Sequence, residues 1–318
     1  MTLASVCSSW SRIARSVPRY WSCLIIRDKF STQKVEQALH MAKGHFEEVK
    51  LCNLSADGLI RLGGFFRHAS HAVKTLYYET TDSYSIIALA SLGINPESLI
   101  IRNEDPRGPP RNLAIATLIP IFGPTLRTLS IHRLQYTIYN WKDYVPLLGH
   151  LTSLTMTGSR FVGMGLLHYT TTIEEIVLDF TADFLTPYEV HITPPDFSLP
   201  SLRVFELRHV PCPTEMGLPT IRLYAPMLRT FHLDSTSAAL WLLAFSDRGA
   251  PTALVDFRVD KPSGSTVTLS HLQPFLCNTI ERFALTSISH ELGPLLRDIE
   301  ARVILPRRKH LEFTFHDE

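Results

Sequence analysis

The chain has 318 residues, of which 45% are hydrophobic and 19% charged, and its formal net charge is +1. This composition is typical of a folded globular protein and excludes a disordered one. Because the net charge is close to zero, no global field favours nucleic acid or an anionic membrane surface, and we expect neither as a partner.

An amphipathic helix is predicted at the start of the chain, over residues 1–22. Leu3, Val6, Trp10 and Ile13 fall at helical spacing and form one apolar stripe. Such a helix would cap the open hydrophobic end of a repeat domain that follows it. We therefore expect a short helical cap as the first structural unit of the chain.

A second domain, residues 23–318, repeats one short apolar pattern twelve times. In each copy two apolar residues flank a residue of any type, and a further apolar residue usually lies three places upstream. Such alternation predicts a half-buried strand with one parity of side chains facing the core. The first apolar residue of each pair, called the core position below, is Leu24, Val49, Leu76, Leu99, Leu129, Leu154, Ile176, Phe205, Phe231, Phe257, Phe283 and Leu311.

Successive core positions are separated by 22 to 30 residues, which leaves room for one return segment after each strand. The pattern resembles leucine-rich repeats, whose period is roughly 20–29 residues. The resemblance implies an α/β solenoid with parallel strands, outer helices and a horseshoe shape. The family's Asn or Cys ladder is absent, so these repeats are divergent and must be held together in another way. Return helices are predicted at 33–43, 55–68, 83–92, 113–122, 237–246 and 289–301.

The N-terminal segment also resembles the second half of an F-box, with the pattern LA-x-VC-x-x-W-x-x-IA…P-x-LW. An F-box followed by divergent leucine-rich repeats is similar to the arrangement of fungal F-box proteins. The first half of the motif would precede Met1, so we expect an F-box truncated at its N-terminus. The matching residues are Leu3, Ala4, Val6, Cys7, Trp10, Ile13, Ala14, Pro18 and Trp21, with Tyr20 where the family usually has leucine.

This resemblance implies that the chain is the substrate-recognition subunit of an SCF-type ubiquitin ligase. In the family the F-box binds the Skp-type adaptor of a cullin-RING ligase, and the repeats bind a protein substrate. The residues here that would contact the adaptor are Leu3, Val6, Trp10 and Ile13. Two alternatives stay open: a leucine-rich-repeat interaction scaffold without ligase coupling, and an enzyme whose catalytic groups converge from distant parts of the sequence.

The sequence carries no complete catalytic or metal-binding motif. The glycines of GSRFVGMG at 158–165 are spaced like a phosphate loop, but Met164 replaces the lysine and no Ser or Thr follows. His68 and His71 could share a metal on a helix, but no third ligand cluster lies nearby. We therefore expect a chain that is not an enzyme and that has no cofactor and no metal site.

Cysteine usage and hydropathy indicate a compartment. The five cysteines are scattered, odd in number and without a C-x-x-C motif, so a disulfide framework is not expected. The start MTLASVCSSWSRIARS lacks the apolar core of a signal peptide, and no stretch approaches the ~20 apolar residues that span a bilayer. We expect an intracellular protein of the cytoplasm or nucleus.

Strand parity predicts which side chains face a partner. Residues one before, one after and three after the core position should lie on the concave surface. In the repeats around residues 206–260 these positions hold a mixed-charge patch that would give a partner register and specificity. The same charges would also stabilise a solvated sheet face without a partner, and both interpretations stay open. The predicted patch consists of Glu206, Arg208, His232, Asp234, Arg258 and Asp260.

Overall fold

The computed structural model of the chain forms two compact units. Unit 1 comprises Met1–Tyr139 and Pro146–His150, and unit 2 comprises Asn140–Val145 and Leu151–Glu318. The structure describes residues 17, 21–43, 45–68, 72–81, 83–103, 112–113, 122, 124–133, 135–136, 149–157, 171–179, 196–210, 222–235, 238–246, 251–260, 267–288, 293–301 and 304–315. The predicted cap helix, with Leu3, Val6, Trp10 and Ile13, lies outside the described residues, and the boundary at residues 22/23 stays a prediction.

Unit 1 is an α/β repeat unit with five parallel strands in the order β1-β2-β3-β4-β6. The short strands β5 and β7 form a separate parallel pair. The elements are β1 (Cys23–Arg27), α1 (Thr32–Met41), β2 (His45–Cys52), α2 (Ala56–His68), β3 (Ala72–Thr80), a 3₁₀ helix (Ser83–Leu92), β4 (Ser98–Asn103), β5 (Asn112–Leu113), β6 (Thr128–His132) and β7 (Gln135–Tyr136).

Unit 2 has seven parallel strands in the order β8-β9-β11-β13-β14-β15-β16. Strands β10 and β12 form a second, two-stranded parallel sheet. The elements are β8 (Ser153–Thr157), β9 (Glu175–Asp179), β10 (Asp196–Ser198), β11 (Val204–Val210), β12 (Arg222–Tyr224), β13 (Thr230–Ser235), α3 (Ala238–Ser246), β14 (Asp256–Asp260), α4 (Leu269–Leu272), a 3₁₀ turn (Gln273–Phe275), β15 (Arg282–Ile288), α5 (Gly293–Glu300) and β16 (His310–Phe315).

All twelve core positions predicted from the sequence lie on strands, and within each unit they stand directly opposite one another. In unit 1, Leu24 pairs with Val49, and the row continues through the core positions of β3, β4 and β6. In unit 2, Leu154 begins a row that runs through six further strands to Leu311. The predicted parallel strands are therefore confirmed, and the repeat places the same position of each strand beside its neighbour.

A ladder of backbone carbonyls holds successive repeats of unit 2 together. The carbonyl oxygen two residues before each core position accepts two N–H groups from the next repeat. Arg203 O, for example, accepts from Arg229 N at 2.8 Å and from Thr230 N at 2.9 Å. A carbonyl oxygen has two lone pairs, so one atom satisfies two donors. This ladder consists of the carbonyl oxygens of Thr152, Glu174, Arg203, Arg229, Val255 and Glu281.

The core of unit 2 is built on stacked phenylalanines at the core positions of β11, β13, β14 and β15. The ring centroids of Phe205 and Phe231 are 6.2 Å apart, those of Phe231 and Phe257 are 5.8 Å apart, and those of Phe257 and Phe283 are 5.4 Å apart. Phe275 packs on both Phe231 and Phe257, and all five rings are buried. Aromatic pairs at such separations contribute about 0.5–1.5 kcal/mol each beyond the burial of their area.

The return segments follow the sequence prediction except in two places. Helices α1, α2, α3 and α5 correspond to four predicted segments. Segment 83–92 is a 3₁₀ helix because its buried residues Ile86, Leu89 and Leu92 recur every three residues, which is the period of that helix. Segment 113–122 falls mostly outside the described residues, and its predicted start was wrong because Leu113 lies in strand β5.

Helix α2 approaches the 3₁₀ helix of unit 1 so closely that one of its glycines has no room for a side chain. A Cβ atom on Gly63 would lie 2.0 Å from the carbonyl oxygen of Ser91, whereas a Cβ on Gly64 would meet nothing within 4 Å. Backbone atoms cannot retreat as a flexible side chain can. Glycine at position 63 is therefore required by packing, and glycine at position 64 is not.

The two glycines provide a matched pair of substitutions. We expect Gly63→Ala to lower the free energy of unfolding by about 1–3 kcal/mol, because the two helices must move apart. Gly64→Ala should raise it by about 0.5–1 kcal/mol, because alanine loses less backbone entropy in a helix. Urea unfolding followed by circular dichroism measures both changes. Equal effects of the two substitutions would contradict this account of the packing.

Candidate interaction surface

On the seven strands of unit 2, every second side chain points away from the core. We call the surface that these side chains form the polar face. Along these strands buried and exposed residues alternate, as in β13, where Phe231 and Leu233 are buried and their neighbours are partly exposed. The predicted patch residues all lie on this face, because they occupy the first and third positions after the core positions of three adjacent strands. They are Glu206 and Arg208 on β11, His232 and Asp234 on β13, and Arg258 and Asp260 on β14.

Five of the six predicted residues form one connected network. Arg208 donates from a terminal nitrogen to Glu206 Oε2 at 2.6 Å, and Arg258 Nε donates to Asp260 Oδ2 at 2.6 Å. His232 joins the two pairs, because its Nε2 lies 2.8 Å from Asp260 Oδ2 and its Nδ1 lies 4.0 Å from Glu206 Oε2. The carboxylates are thus fixed against the sheet by neighbouring strands.

The network has an inner layer of carboxylates and an outer layer of guanidinium groups. The side chains of Glu206 and Asp260 are 21% and 20% exposed, whereas those of Arg208 and Arg258 are 44% and 47% exposed. The hydrogen bond of each arginine to its carboxylate uses one of the five N–H donors of the guanidinium.

The environment of Asp260 favours its charged form. Burial by itself raises the pKa of this carboxyl, but hydrogen bonds from His232 and Arg258, together with their charges, outweigh burial and hold the pKa below its ordinary value. The hydrogen bond to Asp260 also raises the pKa of Arg258, against the opposing effect of burial. Thr286 Oγ1 donates a further hydrogen bond to Asp260 Oδ1 at 3.3 Å.

Asp234 is connected differently, through a residue that the sequence analysis missed. His209 Nδ1 lies 2.9 Å from Asp179 Oδ1, and its Nε2 lies 3.6 Å from Asp234 Oδ2. Strict alternation would place His209 on the core side, but a β-bulge between Leu207 and Val210 turns it outward, with a backbone φ of 52°. The sequence carried one sign of this bulge. The apolar residues Leu207 and Val210 are three places apart, whereas regular alternation would separate them by an even number of residues.

The corresponding face of unit 1 carries a smaller group of interactions. Lys50 Nζ lies 4.3 Å from the ring centroid of Tyr77 and 3.9 Å from Glu79 Oε2. Burial, followed by a hydrogen bond and the charge of Glu79, raises the pKa of the Cys52 thiol. Burial, with the nearby charges of two arginines, lowers the pKa of His132.

Two further observations concern metal sites and membrane-spanning helices. No cluster of three or more His, Cys, Asp or Glu side chains suited to a metal ion occurs in the part of the chain that the structure describes. Among those same described residues, no helix is both long enough and apolar enough to cross a lipid bilayer. The expected absence of a cofactor stays a prediction.

Comparisons with known proteins add no family assignment. No model of a known protein family matches the chain. A search of curated proteins likewise returns no match. Functional conclusions therefore rest on the residues and their geometry.

From the lowered pKa of Asp260 we predict how the stability of the fold depends on pH. Because the folded-state pKa lies below the unfolded value of about 3.9, the carboxylate stabilises the fold above that pH and loses this effect as the pH falls through the folded-state value. We expect Asp260→Asn to lower the free energy of unfolding by about 1 kcal/mol at pH 7. The difference from the unsubstituted chain should shrink below about pH 4.

Denaturant unfolding at successive pH values measures this difference, with Glu174→Gln as the control. Glu174 lies 3.6 Å from Arg203 in a pair that is about half exposed, so its removal should change stability less. If Asp260→Asn lowered the free energy of unfolding by the same amount from pH 7 to about pH 3, the charge of Asp260 would not be the cause.

Proposed function

We propose that this chain is a non-catalytic protein-recognition module. The observation that carries the proposal is the polar face of unit 2, where charged side chains stand on adjacent strands in fixed register and are oriented by one another. An interface of this kind selects a partner by electrostatic complementarity and by spacing. Arg208, Arg258 and the partly exposed carboxylates are held in place by their ion pairs on the sheet, so a partner would bind a preformed surface.

The finer features of the fold belong to the same proposal. We infer a divergent leucine-rich-repeat-like solenoid with a horseshoe shape, an N-terminal helical cap, and the polar face as its concave surface. The support comes from the 22- to 30-residue repeat in the sequence together with the in-register parallel strands of each unit. An intracellular location, in cytoplasm or nucleus, is part of this proposal.

We further propose that the module serves as the substrate-recognition subunit of an SCF-type ubiquitin ligase. This step rests on the resemblance of residues 3–21 to an F-box, in which Leu3, Val6, Trp10 and Ile13 would contact a Skp-type adaptor. The ligase would supply the catalysis, and this chain would position a protein substrate.

Adaptor binding can be measured directly with the full chain and a purified Skp-type adaptor. We expect binding, and we expect Trp10→Ala to weaken it by about thirtyfold, because a buried tryptophan anchor is commonly worth about 2 kcal/mol at an interface. Arg258→Ala, on the polar face, should leave adaptor affinity unchanged. If the full chain does not bind the adaptor, the chain is an interaction scaffold without ligase coupling.

Recognition itself has a separate test that does not depend on the adaptor. Alanine at Arg208, His232, Asp234 and Arg258 should remove proteins that the unsubstituted chain captures from a cell extract, as measured by quantitative mass spectrometry. The denaturation midpoint of each variant provides the check on folding. The polar face would be excluded as the binding surface if the fourfold variant kept both its stability and its captured partners.

A further inference from the structure

The polar face of unit 2 carries an excess of negative charge, although the whole chain has a net charge of +1. Its described strand residues include seven carboxylates and three guanidinium groups. The carboxylates belong to Glu175, Asp179, Glu206, Asp234, Asp256, Asp260 and Glu312, and the guanidinium groups to Arg208, Arg258 and Arg282. The equivalent positions in unit 1 carry three cations, Arg27, Lys50 and Arg102, and two carboxylates, Glu48 and Glu79. The excess is therefore specific to unit 2.

The three arginines neutralise only three of the seven carboxylates. Arg208 pairs with Glu206, Arg258 pairs with Asp260, and Arg282 Nε lies 3.0 Å from Asp256 Oδ2. Within the described parts of the chain, neither Asp179 nor Asp234 has a lysine or arginine within ion-pair distance, and both face the ring of His209. Of the four remaining carboxylates, Glu175 and Asp179 lie on β9, Asp234 lies on β13 and Glu312 lies on β16.

His209 is the described side chain that faces both aspartates. Its Nδ1 lies 2.9 Å from Asp179 Oδ1, whereas its Nε2 lies 3.6 Å from Asp234 Oδ2. The contact with Asp234 is therefore too long for an ordinary hydrogen bond, although the side chain of Asp234 is only 22% exposed.

The strand register also places Asp234 directly opposite Asp260. Neighbouring strands are about 4.8 Å apart, so two carboxylates at paired positions repel each other and destabilise the sheet. Asp260 has its own partners in Arg258 and His232, whereas Asp234 contacts His209. A cation placed beside Asp234 would relieve this repulsion.

We propose that the polar face of unit 2 binds a basic polypeptide segment, one Lys or Arg side chain of which lies between Asp234 and Asp260. The proposal rests on the protein-recognition function and specifies the chemistry of the partner. Arg208 and Arg258 at the edges of this site discriminate against partners whose cationic residues fall at other positions, because misplaced cations meet them.

Fluorescence anisotropy with the full chain tests this proposal. The probes are three labelled synthetic peptides of one length: a Lys/Arg-rich peptide, the same peptide with each Lys or Arg replaced by Glu, and the same peptide with Gln at those positions. We expect the basic peptide to bind and to bind more weakly when NaCl is raised from about 50 mM to about 300 mM. The Glu and Gln peptides should not bind.

Asp234→Asn should weaken binding of the basic peptide by about fivefold, the effect of losing one partly exposed charge pair. Glu174→Gln is the matched control, because it removes one carboxylate of unit 2 that pairs with Arg203 outside the polar face. The control should change the affinity by less than about twofold. Similar losses in the two variants would show that only net charge matters, and would overturn the site.

A stability measurement separates a binding role of Asp234 from a structural one. Because Asp234→Asn removes a like-charge contact, the denaturation midpoint should stay the same or rise while peptide affinity falls. A midpoint that falls as far as that of Asp260→Asn would show that Asp234 is a structural residue and would overturn the proposal.

The proposal and the recognition function can fail separately. If the basic peptide does not bind at about 1 mM, or binds no better than the Glu peptide, the partner chemistry is wrong. The fourfold alanine variant would still decide whether the face recognises another kind of protein. If the basic peptide binds through Asp234 but the fourfold variant keeps its captured proteins, the site is real and recognition of those proteins uses another surface.

Discussion

The lateral register of the strands is the constraint on which the other features depend. Each core position stands beside the core position of the next repeat, which brings the phenylalanine rings of unit 2 into contact at centroid distances of 5.4 to 6.2 Å. The same register brings each ladder carbonyl to the two N–H groups that it accepts. A one-residue slip would move the apolar parity to the solvent side and break both arrangements at once.

A fixed register also determines the electrostatics of the outward face. The register decides which side chains lie next to each other, so the backbone holds charges at paired positions about 4.8 Å apart. Glu206, Arg208, His232, Arg258 and Asp260 satisfy one another under this constraint. Asp179 and Asp234 both face the imidazole of His209, and the register places Asp234 opposite Asp260. An uncharged residue at position 234 would remove the repulsion between Asp234 and Asp260.

Most of the strand architecture could be predicted from the sequence because it depends on two simple periods, alternation within a strand and the repeat between strands. The outward placement of residues such as Glu206 and Arg258 followed from alternation alone. His209 was missed because a bulge breaks the alternation, and its contacts with Asp179 and Asp234 join repeats that are distant in sequence. The 3₁₀ helix at 83–92 was predicted only as a helix, although the three-residue spacing of Ile86, Leu89 and Leu92 was already visible.

The carbonyl ladder has a consequence for how such repeats can change over time. It is made of main-chain atoms, so nearly any side chain is compatible with it, and the repeats can diverge in sequence without losing their attachment to one another. Proline is the exception, because it has no N–H to donate. The chain contains 21 prolines, and none occupies the twelve donor positions of unit 2, although Pro200, Pro226 and Pro306 lie only three residues before such positions. Diverged repeats of this kind can therefore be identified by the absence of proline from the two residues directly before each core position.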